Sequence, residues 1–328
     1  MSANARDSHE DDTDAGARLR ERLLAWYAGE RRDLPWRRTR DPYPILVSEV
    51  MLQQTQVDRV IPKYHEFLDR FPTLAALAVA PTAEVIRSWS GLGYNRRAVN
   101  LQRAAQAVVE RHGGAMPAEL DSLRALPGVG RYTAAAVACF AFGQDVGFFD
   151  TNIRRVLHRL FHGPELPESR ATDREIQALA DRLVPPGDGY VWNQALIEFG
   201  ALQCTARRPA CVTCPLQAEC RAFPEIQAAL GEARRGSGER GTPREESYTG
   251  SSRYYRGRVI AALRDIGDGE AIDLVSLGPR VRPDFQAEHL GWLRGVVAGL
   301  ERDGLAAVAE EPAVYDDAEP GALRVRLP

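Results

Sequence analysis

Four of the five cysteines, Cys204, Cys211, Cys214 and Cys220, fall within 17 residues in the spacing C-x6-C-x2-C-x5-C. Thiols this closely spaced in an intracellular chain suit a metal better than disulfides. Four thiolates satisfy either tetrahedral zinc or an iron–sulfur cube, and C-x2-C spacing alone does not choose between them. Arg207, Arg208 and Arg221 stand around these ligands. They read as a solvated face, or as cations that a metal-clamped loop presents to phosphates. Cys139 lies apart in an apolar run and reads as a small buried residue.

Two carboxylates stand out by context. Glu49 sits inside Pro44-Ile45-Leu46-Val47-Ser48 and Val50-Met51-Leu52. An acid held in such surroundings has its proton affinity raised, as a proton donor near neutral pH requires. Glu49, Gln53 and Gln56 also follow an i, i+4, i+7 spacing, so a polar outer helix face fits the pattern equally well. Asp150, in Phe148-Phe149-Asp150-Thr151-Asn152, precedes a helical pattern and is suited to capping its N-terminus.

Leu126-Pro127-Gly128-Val129-Gly130-Arg131-Tyr132-Thr133 leads into the Ala-rich run Ala134–Cys139. Two glycines around one apolar residue make a tight turn. The helix behind it begins with backbone N–H groups able to hold a phosphate oxygen. The pattern G-x-x-x-x-G-K is missing, so this is no nucleotide P-loop. With Leu123 and Leu126 before it and helices on both sides, the segment fits a helix-hairpin-helix.

These groups must be positioned by short helices. From about Ala17 to Phe223 the patterns predict helices at Leu19–Tyr27, Ile45–Val60, Ala98–Arg111 and Thr133–Phe142, with almost no strand signal. Residues 1–17 are polar, acidic and aperiodic and predict a disordered tail, and 231–251, rich in Gly, Ser and charge, a linker. Beyond it, Tyr254–Arg264 and Leu290–Arg302 read as helices, and Ala306–Val308 and Leu323–Leu327 as short strands. That set suits a winged-helix-like α/β module over 252–328.

The chain has 328 residues, 44% hydrophobic and 27% charged, which excludes a disordered or collagen-like protein. No apolar run reaches the ~20 residues of a membrane helix, so a soluble, cytoplasmic protein is expected. The net charge of −3 conceals −3 over residues 1–19, +4 over 20–224 and −4 over 225–328, so the middle segment is the part disposed to a polyanion. Of the 42 basic residues, 41 are Arg and one is Lys, Lys63.

Taken together, the hairpin, the Asp downstream of it and the four-cysteine loop resemble the helix-hairpin-helix base-excision DNA glycosylases. Ser48-Glu49-Val50-Met51-Leu52-Gln53-Gln54-Thr55-Gln56-Val57, Leu34-Pro35-Trp36-Arg37 and Gly91-Leu92-Gly93-Tyr94 are similar to the A/G-specific adenine glycosylase (MutY-like) branch. The resemblance spans about residues 20–223. It implies two all-α subdomains over 18–223 with a 4Fe-4S loop at 204–220, zinc being the alternative, and a mismatch-containing double-stranded DNA partner met by a monomer, nucleoid-associated if the source is bacterial or archaeal. Glu49 would protonate the departing adenine and Asp150 steady the cationic sugar, the two-carboxylate logic of glycoside hydrolysis, with Tyr132 and Asn152 hydrogen-bonding around that centre. Arg32, Leu34, Trp36, Arg37, Leu52 and Gln194 match positions lining the extruded base. Gln54 and Tyr94 match residues wedged into the stack, and Gly128, Val129 and Gly130 the DNA-binding hairpin.

Family members that also nick the backbone carry a Schiff-base lysine two positions after the second hairpin glycine. Tyr132 stands there, and with Lys63 far away a monofunctional enzyme is expected. Two departures are visible: Thr151 where a Gly is frequent, and no Phe-Ser-His tripeptide or room for a Nudix-like domain in 252–328. The competing readings are a thymine or uracil mismatch glycosylase, a non-catalytic metal-stabilised DNA-binding module, and an iron–sulfur redox sensor.

Overall fold

The computed structural model describes the backbone of residues 4–165, 169–235, 248–267, 269–309 and 323–328. The chain divides into two compact units: residues 1–46, 118–124 and 129–239, and residues 47–117, 125–128 and 240–328.

The first unit is built on the helix Gly189–Leu202, against which the helices Asn4–Glu30 and Thr151–Phe161 pack. Trp192 and Phe199 are enclosed, and Trp26 meets Phe199 edge-on at 5.0 Å. Gly200 lets the Thr151–Phe161 helix come close, since a Cβ there would lie 2.8 Å from the Asn152 Cβ. Arg131–Phe142 carries Ala134–Cys139 wholly buried, as its run of small residues predicts. Helical backbone begins at Asn4, so the tail expected over 1–17 is helical from that residue.

The expected helix Ile45–Val60 is two helices, Pro42–Leu52 and Val57–Arg70, the second of which lies in the second unit. The break falls at Gln54, whose φ of 57° no helix accommodates. Arg96–His112 is packed by Leu74–Val79 and Thr82–Ser88, with Gln102 donating to the carbonyls of Leu77 and Ala80.

Residues 252–328 belong to this same unit. The helices Ser252–Arg264, Leu274–Val281 and Leu290–Arg302 surround a three-stranded antiparallel sheet in which Arg324–Arg326 lies between Ile272–Asp273 and Ala307–Ala309. Val325 pairs with Ile272 on one side and Val308 on the other. The winged-helix-like expectation therefore gains a third helix and a further strand, both too short to leave a periodic signal. The module does not stand apart: Ile86 and Val99 share one buried cluster with Val259, Leu263, Val297 and Val325. Arg264 donates to the Ile86 carbonyl at 2.8 Å, and the Ala83 N–H to the Pro328 carbonyl at 3.1 Å. Of the linker expected at 231–251, residues 231–235 end the helix Phe223–Arg235, and 236–247 lie outside the described residues.

Leu263 is fully enclosed at the middle of that shared cluster. Leu263→Ala is expected to destabilise the protein by about 2–5 kcal/mol, read from urea unfolding, with loosened packing around Ile86 and Val99 seen by methyl NMR. A module joined only by a tether would leave those methyl signals unmoved.

Candidate active site and metal loop

In the first unit a turn, Arg31–Arg40, and the helix Gly189–Leu202 build a charged centre. Glu198 is fully buried, and it accepts at 2.8 Å from the Arg32 backbone N–H, at 2.9 Å twice from the Arg32 guanidinium, and at 2.8 Å from Arg37 Nη2. Arg37 Nε donates to Gln194 Oε1 at 2.8 Å, and Nη1 to the Arg32 carbonyl at 2.9 Å. Burial, the largest influence, pushes the Glu198 carboxyl upward, but the hydrogen bonds from Arg32 and Arg37 outweigh it and hold it at about 2. Arg32, Arg37 and Gln194 are thus brought together around a carboxylate that sequence reasoning missed. Leu34 and Trp36 are buried beside them in the chain, at 4% and 7% exposure.

Asp150 caps the helix Thr151–Phe161, as its type predicts. Its Oδ1 accepts from the N–H groups of Asn152 at 2.9 Å and Ile153 at 2.7 Å, and its Oδ2 from Asn152 Nδ2 at 3.1 Å. The Asn152 Oδ1 in turn accepts from Arg155, which also donates to the carbonyls of Gly200 and Cys204. Tyr132, half-buried in the first turn of Arg131–Phe142, stands edge-on to Phe148 at 5.4 Å.

Cys204, Cys211, Cys214 and Cys220 line one cavity, walled by Val156, Leu160, Phe199, Phe223 and Ile226. Arg159, 5% exposed, braces the loop by donating to the carbonyls of Thr205 and Ala206 and towards the Cys204 sulfur at 3.6 Å, and it pairs with Glu165 at 2.7 Å. Burial raises the thiols of Cys211 and Cys220 and pushes Cys214 up to about 12. Among the described residues no three Cys, His, Asp or Glu side chains converge on a point that would hold one metal ion.

The second unit holds Glu49, Leu52, Gln53, Gln54, Tyr94 and Gly128. Glu49 is 6% exposed and the neighbouring Ser48 is 1% exposed, while the helix ends at Leu52, which is half-buried. The polar outer face imagined for Glu49, Gln53 and Gln56 is therefore not formed, because the chain turns before Gln53 and Glu49 is enclosed.

Gln54 (φ 57°) and Tyr94 (φ 46°) are the only non-glycine residues with positive φ among the described residues. Such backbone costs about 1–3 kcal/mol and persists only where surrounding structure enforces it. Arg97 is the enforcing group. It donates to the carbonyls of Val50, Met51 and Gln53 at the end of the Pro42–Leu52 helix, and to those of Leu92 and Gly93 before Tyr94. In the hairpin, Gly128 has φ 74° and lies so near Asn100 that a Cβ would meet its side chain at 2.6 Å. Gly130 precedes the helix Arg131–Phe142 and has no side chain to cap it, and Val129 between the two glycines is buried.

Arg97 and Glu198 left faint signals. The helix Pro42–Leu52 has no basic residue in its last turn, so its closing carbonyls needed a donor from elsewhere. Glu198, in Ala195-Leu196-Ile197-Glu198-Phe199, is a lone acid in an apolar run, just as Glu49 is.

Comparison with known proteins places the chain. Residues 47–186 match the HhH-GPD superfamily base excision DNA repair proteins. The adenine DNA glycosylase of Mycolicibacterium smegmatis is 42% identical over 248 residues, covering 74% of this chain and 79% of the relative. The chain belongs to the adenine DNA glycosylase family. The human adenine DNA glycosylase is 46% identical over 214 residues, 62% of this chain and 39% of the human protein. A solved thermostable thymine-DNA glycosylase superposes with a TM-score of 0.61 at 32% identity, covering 65% of this chain and 99% of its own. Among the described residues no helix is long and apolar enough to cross a membrane.

The depressed Glu198 carboxyl carries a pH consequence. Its contribution to stability is fully present above the ordinary carboxylate value near 4.5 and is lost as pH falls towards 2. Glu198→Gln, which leaves the enclosed Arg37 and the half-buried Arg32 guanidinium groups short of their anion, is expected to cost about 3–5 kcal/mol at neutral pH. It should also flatten the acid limb of stability between those values, followed by circular dichroism.

Proposed function

We propose that this chain is a monofunctional DNA glycosylase that hydrolyses the N-glycosidic bond of adenine mispaired with guanine or 8-oxoguanine, in base excision repair. Membership of the adenine DNA glycosylase family supports the reaction class, and the enclosure of Glu49 at 6% exposure is the observation that carries the mechanism. The substrate is double-stranded DNA containing the mismatch, bound by a monomer in the cytoplasm or on the nucleoid.

An adenine rotated out of the duplex would be received by Arg32, Arg37, Gln194, Leu34, Trp36 and Leu52. Glu49 gives its proton to the purine, the C1′–N9 bond breaks with its electron pair leaving on the base, and the ring oxygen shares the positive charge at C1′. Asp150 steadies that charge; its hydrogen bonds from Asn152 and Ile153 fix its direction. Tyr132 supports the same centre. Water adds to C1′ and its proton returns to the Glu49 carboxylate. Gln54 and Tyr94 wedge into the base stack opposite the lesion, and Gly128, Val129 and Gly130 hold the backbone through amide groups. Lys63 is paired with Glu66 at 2.5 Å, and Tyr132 occupies the place of the Schiff-base lysine, so no strand cleavage accompanies base release.

The cysteine loop suits a 4Fe-4S cluster. A single zinc draws four sulfurs to about 2.3 Å from one point, whereas a cube gives each thiolate its own iron and spaces the ligands around a volume. Four cysteines lining one apolar cavity suit the second arrangement. Bound there, the cluster would clamp the loop that carries Arg207, Arg208 and Arg221.

Glu49→Gln is expected to reduce adenine release from A·8-oxoguanine and A·G duplexes by at least ~10² while DNA affinity stays near wild type. Borohydride is expected to trap no covalent adduct. Release of thymine or uracil from T·G or U·G duplexes in place of adenine, as the likeness to a thymine-DNA glycosylase would have it, refutes the adenine assignment. The purified protein is expected to show the visible absorption of an iron–sulfur centre, lost in Cys214→Ser. A colourless protein holding stoichiometric zinc would overturn the cluster assignment.

A further inference from the structure

Within the second unit a groove of about 790 Å3 runs between residues 53–100 and the first helix of the C-terminal module, Ser252–Arg264. Seven arginines line it, and none of its described lining residues is acidic. Four of the seven are committed to the framework. Arg97 and Arg264 donate to backbone carbonyls, Arg258 to the Arg280 carbonyl, and Arg256 to Asp303. The other three, Arg59, Arg96 and Arg253, face solvent. Arg59 and Arg253 have no carboxylate partner among the described residues, and Arg96 reaches Asp303 only at 3.4 Å with 64% of its side chain exposed.

Arg253 is held in an unusual way for an exposed cation. Its guanidinium lies 5.3 Å from the Tyr94 ring centre and 5.0 Å from that of Tyr248, and Nη1 donates to the Tyr94 hydroxyl at 2.7 Å. A guanidinium fixed against two rings keeps its charge and its remaining N–H groups, and loses little further freedom on meeting a phosphate. The ring it holds belongs to a residue with strained backbone and 43% exposure. Gln54, the other strained residue, lines the same groove.

We propose that this groove binds the sugar–phosphate backbone of the DNA strand opposite the extruded adenine, with Arg59, Arg96 and Arg253 as its phosphate ligands. In it the C-terminal module acts as a second DNA-binding wall, and Arg253 is a positioning residue that couples the grip on the backbone to Tyr94. The inference rests on the proposed insertion of Gln54 and Tyr94 into the base stack, which decides which strand passes the groove.

The test measures affinity for an A·G duplex against salt by fluorescence anisotropy, using the full-length protein and its Arg59→Ala, Arg253→Ala and Arg253→Lys variants. Each alanine variant is expected to flatten the slope of log affinity against log salt by ~0.9, the effect of one lost phosphate contact. Arg253→Lys should keep the slope, while both Arg253 variants slow single-turnover adenine release several-fold, since lysine cannot reproduce the planar stack. Methylphosphonates flanking the base opposite adenine should weaken the wild type more than Arg253→Ala, which has one phosphate contact fewer to lose. Unchanged slopes in both alanine variants overturn the groove assignment, and unchanged release in Arg253→Ala removes the positioning role. A wild type that releases no adenine from any duplex refutes the glycosylase reading instead, and the salt slopes still report on the groove.

Discussion

One half-buried cation, Arg97, holds the local geometry of the second unit. Its guanidinium meets the closing carbonyls of the helix that carries Glu49, and it satisfies the turns that contain Gln54 and Tyr94. A helix end has carbonyls without intrahelical partners and a partial negative charge, so a cation there answers two demands at once. Burial lowers the Arg97 proton affinity to about 10, which still leaves it charged throughout the physiological range. Neither left-handed residue has a glycine's freedom, so both conformations depend on this anchoring rather than on local preference.

The first unit is organised around the opposite charge. Glu198 is buried where a bare carboxylate would be costly, and two arginines and a backbone amide make it tolerable. The arrangement orients Arg37 towards Gln194 and leaves the Arg32 side chain 34% exposed. A second arginine pair, Arg155 and Arg159, joins the Asp150 cap to the cysteine loop through Asn152 and the Cys204 carbonyl. Planar five-donor guanidinium groups suit such multi-carbonyl bracing, for which lysine has too few fixed directions. A basic complement of 41 arginines and a single lysine fits that use.

Much of this was legible in the sequence where periodicity or spacing was strong. The helices Arg96–His112, Arg131–Phe142 and Leu290–Arg302 follow their apolar patterns, and the cysteine spacing names the four residues that line one cavity. Asp150 as a cap was readable from its type and place. The break after Leu52 was not, because Gln53-Gln54-Thr55-Gln56 contains neither glycine nor proline. The turn is imposed by Arg97 from more than 40 residues away. Glu198 and Arg97 escaped for the same reason: their meaning lies in partners distant along the chain. The helix Leu274–Val281 and the strand Ile272–Asp273 of the C-terminal module span only 8 and 2 residues, too few for a period to emerge.

The interleaving of the second unit has a consequence for how the protein is made. Ile86 and Val99 are covered by side chains that a ribosome adds some 160 to 240 residues afterwards, and the strand at the centre of the small sheet is Arg324–Arg326. A nascent chain that has already formed Arg96–His112 must therefore keep an apolar patch open to water until residues 259–327 have followed. Closure waits on contacts of very long sequence separation, the slow kind in topological terms. Through that interval the unfinished unit is the segment most in need of chaperone shielding.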